Sequence, residues 1–192
     1  MKTYLEKQGQ VPVIEATNLF YQIKNQKLKQ VLPLLRQALS LNIRNHYAQN
    51  DLYTTYFMMP DKSENAAYVN LIEKSLNNPY SVNKALQSNA LSALSKTATK
   101  AHKRLFLQVL KVADNRYLRY GDRSAAEGLY RLSTKKDVND WKKLLNFHKS
   151  SDVKRIAAEA LLKYGARDEV KRFASTTTDS ELKTSLNTLL LK

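Results

Sequence analysis

The chain of 192 residues has no cysteine, and only four glycines, four prolines and three histidines. Without cysteine there are no disulfide staples, no thiolate nucleophile and no Cys-based zinc or iron–sulfur site. So little glycine and proline leaves no material for a collagen-like or turn-rich β architecture. Gly9, Gly121, Gly128 and Gly165 stand far apart, so no glycine-rich phosphate loop exists. No window reaches the roughly 18 to 20 apolar residues that a membrane span needs. Nor does an apolar stretch follow Lys2 that would mark a secretory leader. With Met1 as its natural start the chain reads as cytoplasmic; the alternative is an exported chain whose leader has been removed.

What the chain has is positive charge. Lys and Arg total 32 against 17 Asp and Glu, a net charge of +15. Residues 1–100 carry 12 basic and 6 acidic side chains and residues 101–192 carry 20 and 11, so both halves are basic. Such a field favours acidic partners, whether nucleic acid, acidic protein surface or anionic lipid. The plainer reading is that many of these cations are the solvated faces of helices. A hydrophobic fraction of 43% and a charged fraction of 26% are those of a folded globular chain.

Apolar residues recur at intervals of three and four, and period-two alternation is nearly absent, so the chain reads as all-α. The spacing predicts helices over 11–24, 28–41 and 47–59, the second of which must place Pro33 in its first turn or kink there. Ser63, with Asp61 before it, is the expected cap of a helix to about Leu76, and Ser81 that of a helix to about Ser95. Further helices are expected over 100–113, 116–132, 137–148, 152–164, 167–175 and 179–191. No long linker interrupts them.

Self-comparison exposes an internal repeat. Arg123-Ser-Ala-Ala-Glu-Gly-Leu129 returns as Arg155-Ile-Ala-Ala-Glu-Ala-Leu161, 32 residues on, and the same offset sets Val138 on Val170 and Trp141 on Phe173. At an offset of 35, Ala90 falls on Ala125, Leu94 on Leu129, Phe106 on Trp141 and Leu110 on Leu145. Paired alanines suit close approach of two helix axes, the leucines suit the core between them, and Phe106, Trp141 and Phe173 suit anchors of the partner helix. A ligand-stacking role for Trp141 is the alternative; its alignment with two phenylalanines favours packing.

The segment Asp152-Val-Lys-Arg-Ile-Ala-Ala-Glu-Ala-Leu-Leu-Lys-Tyr-Gly-Ala-Arg-Asp-Glu-Val-Lys-Arg-Phe173 resembles a HEAT repeat of the short type also found in phycobilin-lyase-like proteins. The Asp, the Arg, the paired Ala and the Gly after the helix carry the likeness, and Asp122–Leu129 matches more loosely. The resemblance implies HEAT-like repeats over 85–192, preceded by a helical segment, 1–84, of divergent repeats or a cap. It also implies a right-handed α-α superhelix of stacked helical hairpins, with one helix layer lining a concave surface. HEAT-family proteins are commonly adaptors or scaffolds. HEAT-like folds also occur in alkylpurine DNA glycosylases, which makes nucleic acid the rival partner, although the aromatic and acidic groove residues of those enzymes do not carry over to this chain.

Catalysis finds little support. His46, His102 and His148 form no metal-binding spacing, and carboxylate pairs such as Asp168-Glu169 have Lys171 and Arg172 at helical spacing, as surface ion pairs do. No cofactor or metal is expected. The strongest candidate site is Arg116-Tyr-Leu-Arg-Tyr-Gly-Asp-Arg123 with Tyr130-Arg131. There Arg116, Arg119, Arg123 and Arg131 alternate with Tyr117, Tyr120 and Tyr130, a pattern able to clamp phosphates, stack on bases or anchor a protein interface. The competing reading is an ordinary inter-helix corner in which the tyrosines pack inward. Basic doublets accompany it: Lys103-Arg104, Lys135-Lys136, Lys142-Lys143, Lys154-Arg155 and Lys171-Arg172. Repeats stacked in register would gather Lys142, Lys143, Lys171 and Arg172 into one stripe. The sequence thus reads as a monomeric, non-enzymatic helical module for an acidic or mixed-charge protein partner, with DNA or RNA as the alternative.

Overall fold

The computed structural model describes residues 1–41, 43, 45–78, 84–112 and 121–191, most of which lie in helices; no β-strand occurs among them. By internal contacts the chain divides into two units, Met1–Thr97 and Ala98–Lys192.

The first unit contains α1 (Lys2–Glu6), α2 (Val13–Asn25), α3 (Leu32–Ala38), α4 (His46–Phe57), α5 (Asn65–Asn77) and α6 (Lys84–Thr97). Pro12 sits at the N-cap of α2 and delays its start relative to the sequence reading, while Pro33 lies in the first turn of α3, where its missing N–H costs nothing. The Asn45 side chain caps α4 by accepting the N–H groups of Tyr47 and Ala48. Asp61, rather than Ser63, is the cap ahead of α5. Its carboxylate accepts the Ser63 N–H at 3.1 Å and hydroxyl at 2.9 Å and opens a 3-10 turn, Lys62–Glu64, from which α5 continues. The expected cap Ser81 lies outside the described residues. Helices α2, α4 and α6 pack in succession, and α5 packs on α6. The core is aromatic: Tyr56, Phe57 and Tyr68 meet with centroids 4.8 to 5.8 Å apart.

One buried carboxylate organises this unit. Glu64 is 2% exposed, accepts the Tyr56 hydroxyl at 2.6 Å, and pairs with the Arg36 guanidinium at 3.2 Å. A charge so far from water is tolerable only because it is paired and hydrogen-bonded. Burial, with the Glu64 hydrogen bond behind it, drives the Tyr56 phenol far above its ordinary value. Burial likewise pushes Tyr68 up to about 12.

The second unit contains α7 (Lys103–Val112), α8 (Asp122–Leu132), α9 (Val138–Phe147), α10 (Ser151–Lys163), α11 (Arg167–Thr176) and α12 (Ser180–Leu190). Its paired alanines and leucines lie where the repeat alignment sets them, whereas Phe173 and Val138 are less buried than their counterparts Trp141 and Val170. Ala125, Ala126, Ala157 and Ala158 are wholly buried, Leu129 and Leu161 lie beside them in the core, and α8 packs directly on α10. Phe106 and Trp141 are fully buried, with the Tyr130 ring edge-on to Trp141 at 6.5 Å. Trp141 is therefore core. Phe173 departs from them: it is half-buried, and the Lys154 ammonium lies over its ring at 5.2 Å. Gly165 ends α10 at φ +81°, and the Ala166 N–H returns to the Leu161 carbonyl at 2.8 Å, the hydrogen bond of a glycine-terminated helix.

The 3-10 lead-in recurs in this unit. Lys100–His102 precedes α7 and Lys135–Asp137 precedes α9, each behind a threonine in a capping box, Thr99 with His102 and Thr134 with Asp137. Among the described residues, the main packings of this unit join helices one or two positions apart along the chain.

Several side-chain ties in each unit span 31 to 34 residues, beside others, such as Arg36–Glu64 and Ser151–Asp179, that span 28. In the first, Thr17 bonds Asp51 and Asn65 bonds Thr97, 34 and 32 residues apart. In the second, Lys103 pairs with Asp137, Arg131 donates to the Ala98 carbonyl, and Tyr164 donates to the Ser133 carbonyl, over 34, 33 and 31 residues. In the second unit these ties fasten a turn or helix end to its counterpart one helix pair further on, whereas Thr17–Asp51 joins the bodies of α2 and α4, and Asn65–Thr97 joins the start of α5 to the end of α6.

Candidate functional site

His46 is exposed; His102 accepts the Thr99 N–H at 3.0 Å through Nδ1; buried His148 accepts the Ser150 N–H at 3.1 Å. Among the described residues, no three His, Asp or Glu side chains are grouped so as to hold a metal ion. No helix among them is long and apolar enough to cross a membrane.

Of the arginine–tyrosine cluster, Arg116, Tyr117, Arg119 and Tyr120 lie outside the described residues. The remaining members are tied into the scaffold. Exposed Arg123 pairs with Glu127 one turn on at 3.0 Å, and this bond, with the charge of Asp152, raises its pKa. Arg131 holds the Ala98 carbonyl at 3.1 Å. Half-buried Tyr130 lies edge-on to Trp141 and carries the Lys163 ammonium over its ring at 4.9 Å.

Three of the five basic doublets show a division of labour that the sequence does not display; in Lys154-Arg155 both members are engaged, Lys154 over the Phe173 ring and Arg155 with Glu159. Lys103 is committed to Asp137, whereas Arg104 faces solvent. Lys142 pairs with Glu169 at 2.8 Å, whereas Lys143 is exposed. Arg172 pairs with the same Glu169, whereas Lys171 is exposed. Lys135 and Lys136 are both exposed in their 3-10 turn. Lys142 and Arg172 thus meet through a carboxylate that joins α9 to α11, so half of the expected stripe is neutralised from within. The Lys142 hydrogen bond holds Glu169 below the usual carboxylate range, with the charges of Arg172 and Lys142 adding to it against a small opposing burial. Asp137 is also depressed. Burial pushes it up, but the Lys103 ammonium and the hydrogen bonds from Thr134 together outweigh it.

The geometry adds a feature absent from the sequence reading, a groove of about 190 Å³ between α7 and α9. Leu110 is buried at its base, half-buried Leu107 and Leu144 form its sides, and Phe147 stands at its mouth, 79% exposed. Lys111 and Lys143 are exposed beside it, and half-buried Asp140 completes the lining with His148. One signal pointed here: α9 turns Trp141 and Leu145 inward at a four-residue interval, and Phe147 falls off that stripe. Large apolar side chains are exposed elsewhere too, Tyr47 at 79% and Ile14 at 75% among them; what sets Phe147 apart is the leucine-lined groove it borders.

No family model, curated protein or solved structure matches the chain.

Proposed function

We propose that the chain is a non-enzymatic helical-repeat module, a HEAT-like superhelix of stacked hairpins, that binds an acidic or mixed-charge protein partner through the basic surface of residues 98–192. Main packings between near neighbours, ties that reach 31 to 34 residues, and the common register of Ala125/Ala126 and Ala157/Ala158 support the solenoid part of this reading. The split within the doublets carries the binding part. Carboxylates of the scaffold occupy Lys103, Lys142 and Arg172, and Arg104, Lys143 and Lys171 remain in solvent without an ion pair among the described residues. Exposed cations of this kind steer association and set its salt dependence.

The test is fluorescence anisotropy with a labelled glutamate-rich peptide, beside gel shifts with random duplex DNA and single-stranded RNA, at about 50 mM and about 200 mM salt. Peptide binding that weakens with salt, without nucleic-acid shifts, is the expected result. Tight nucleic-acid shifts whose logarithmic salt slope rises by about 0.9 per phosphate neutralised would transfer the surface to the rival partner.

A further inference from the structure

We propose that the α7/α9 groove seats an apolar anchor side chain from an acidic protein segment, a reading that deepens the proposed function and rests on it. The volume selects the class of occupant. At about 190 Å³ the groove falls short of the roughly 300 to 1,000 Å³ of small-molecule and cofactor sites, yet it accommodates one aromatic or aliphatic side chain. Its base and sides are Leu107, Leu110 and Leu144, so affinity comes from burying apolar surface. Phe147, with most of its ring in water, lies ready to close over whatever enters.

Charge defines what surrounds that anchor. Lys111 and Lys143 are exposed at the mouth and make no ion pair among the described residues, so carboxylates on either side of the anchor find two cations. Asp140 in the lining would take a basic residue of the partner, which is why a mixed-charge segment also fits. The leucine walls give a base edge nothing to bond. The groove therefore suits a peptide better than a nucleic acid. An apolar centre with a charged rim is the usual anatomy of a protein hot spot.

The probe is a fluorescein-labelled peptide with one central Phe flanked by Glu residues, compared with the same peptide carrying Ala in place of Phe, both titrated with the full chain by anisotropy. Phe147→Ala and Lys143→Glu, at exposed positions that leave the fold intact by circular dichroism, are expected to weaken the Phe peptide by about tenfold each. Lys135→Glu with Lys136→Glu should change its affinity less than threefold. The Ala peptide should bind about tenfold more weakly than the Phe peptide, and Phe147→Ala should weaken it little further. Equal binding of the two peptides, or loss with the Lys135/Lys136 variant alone, overturns the groove and leaves the basic-surface reading standing. A Phe147-dependent shift of single-stranded RNA, with no peptide binding, overturns the peptide as occupant. No binding of either peptide at low salt overturns both readings.

Discussion

Gly128 of α8 aligns with Ala160 of α10, and by that alignment Gly128→Ala should stabilise the chain, since alanine exceeds glycine in a helix interior by about 0.8 to 1.0 kcal/mol. The packing says the opposite. A Cβ added at Gly128 would lie 2.5, 2.7 and 2.9 Å from three atoms of the Phe106 ring, distances that real Cβ atoms essentially never show. Phe106 is wholly buried and has no open side to retreat to. Overpacking of this kind costs about 1 to 3 kcal/mol, and the absence of any exit for the ring points to the upper half of that range. Set against the propensity gain, a net loss of about 1 to 2 kcal/mol is expected. The assay is urea unfolding followed by the fluorescence of Trp141, the sole tryptophan and a member of the same unit. Phe106→Leu in the same chain should relieve the overlap, so the double variant should be more stable than the two single losses add up to. A midpoint above wild type for Gly128→Ala alone would show that the ring yields freely, and the close-approach argument would be wrong.

Other expectations follow from buried groups. Trp141→Ala should cost about 3 to 5 kcal/mol in urea unfolding read by circular dichroism, whereas Trp141→Phe should stay within about 1.5 kcal/mol of wild type. The indole Nε1–H is buried without an acceptor among the described residues, and phenylalanine removes that unmet donor together with the lost volume. Tyr56→Phe deletes the 2.6 Å hydrogen bond to the buried Glu64 carboxylate and should cost about 1.5 to 3 kcal/mol, read by the same method. Acid should loosen the second unit through Asp137, whose folded pKa lies below its ordinary 3.8. A depressed carboxylate contributes in full above the unfolded value and loses its contribution as pH falls through the folded one, so the stability supplied by the Lys103 tie should fade below about pH 4. In Asp137→Asn, Trp141 fluorescence during acid titration should show less of that loss, and an unchanged acid profile would mean that the tie contributes nothing.

The features legible in the sequence were those that depend on neighbours one helical turn away. The stripe of Ala16, Phe20 and Ile23 announced α2, and Ala125, Ala126 and Leu129 announced the contact of α8 with α10, because a helix writes its buried face into residues three and four apart. Boundaries were less legible where the cap lies ahead of the apolar pattern. Thr99 and Thr134 begin their helices through a 3-10 turn that shows no periodicity, and Asp61 displaces Ser63 by reaching two residues forward. The end of α2 turns at Lys27 with φ +49° and has no glycine to mark it. Least legible were the polar interiors. Nothing in the sequence marks Glu64 and Asp137 as buried, because Arg36 and Lys103, which allow them inside, stand 28 and 34 residues away in the chain. The candidate site was readable in composition but not in detail. The doublets were visible, yet only the folded chain shows that Glu169 claims Lys142 and Arg172 and leaves Lys143 beside a groove.

The ties that reach 31 to 34 residues have a mechanical consequence. In the stacked array proposed above, each rung of residues 98–192 joins one helix pair to the next, so a force drawn on the end of that array meets the clasps of the outermost pair before those further in. Extension in an optical trap should then proceed as a staircase of small rips, each freeing about one rung's span of chain, instead of one abrupt collapse. A module that gives way by steps can lengthen under load and recover its fold from the floors still standing.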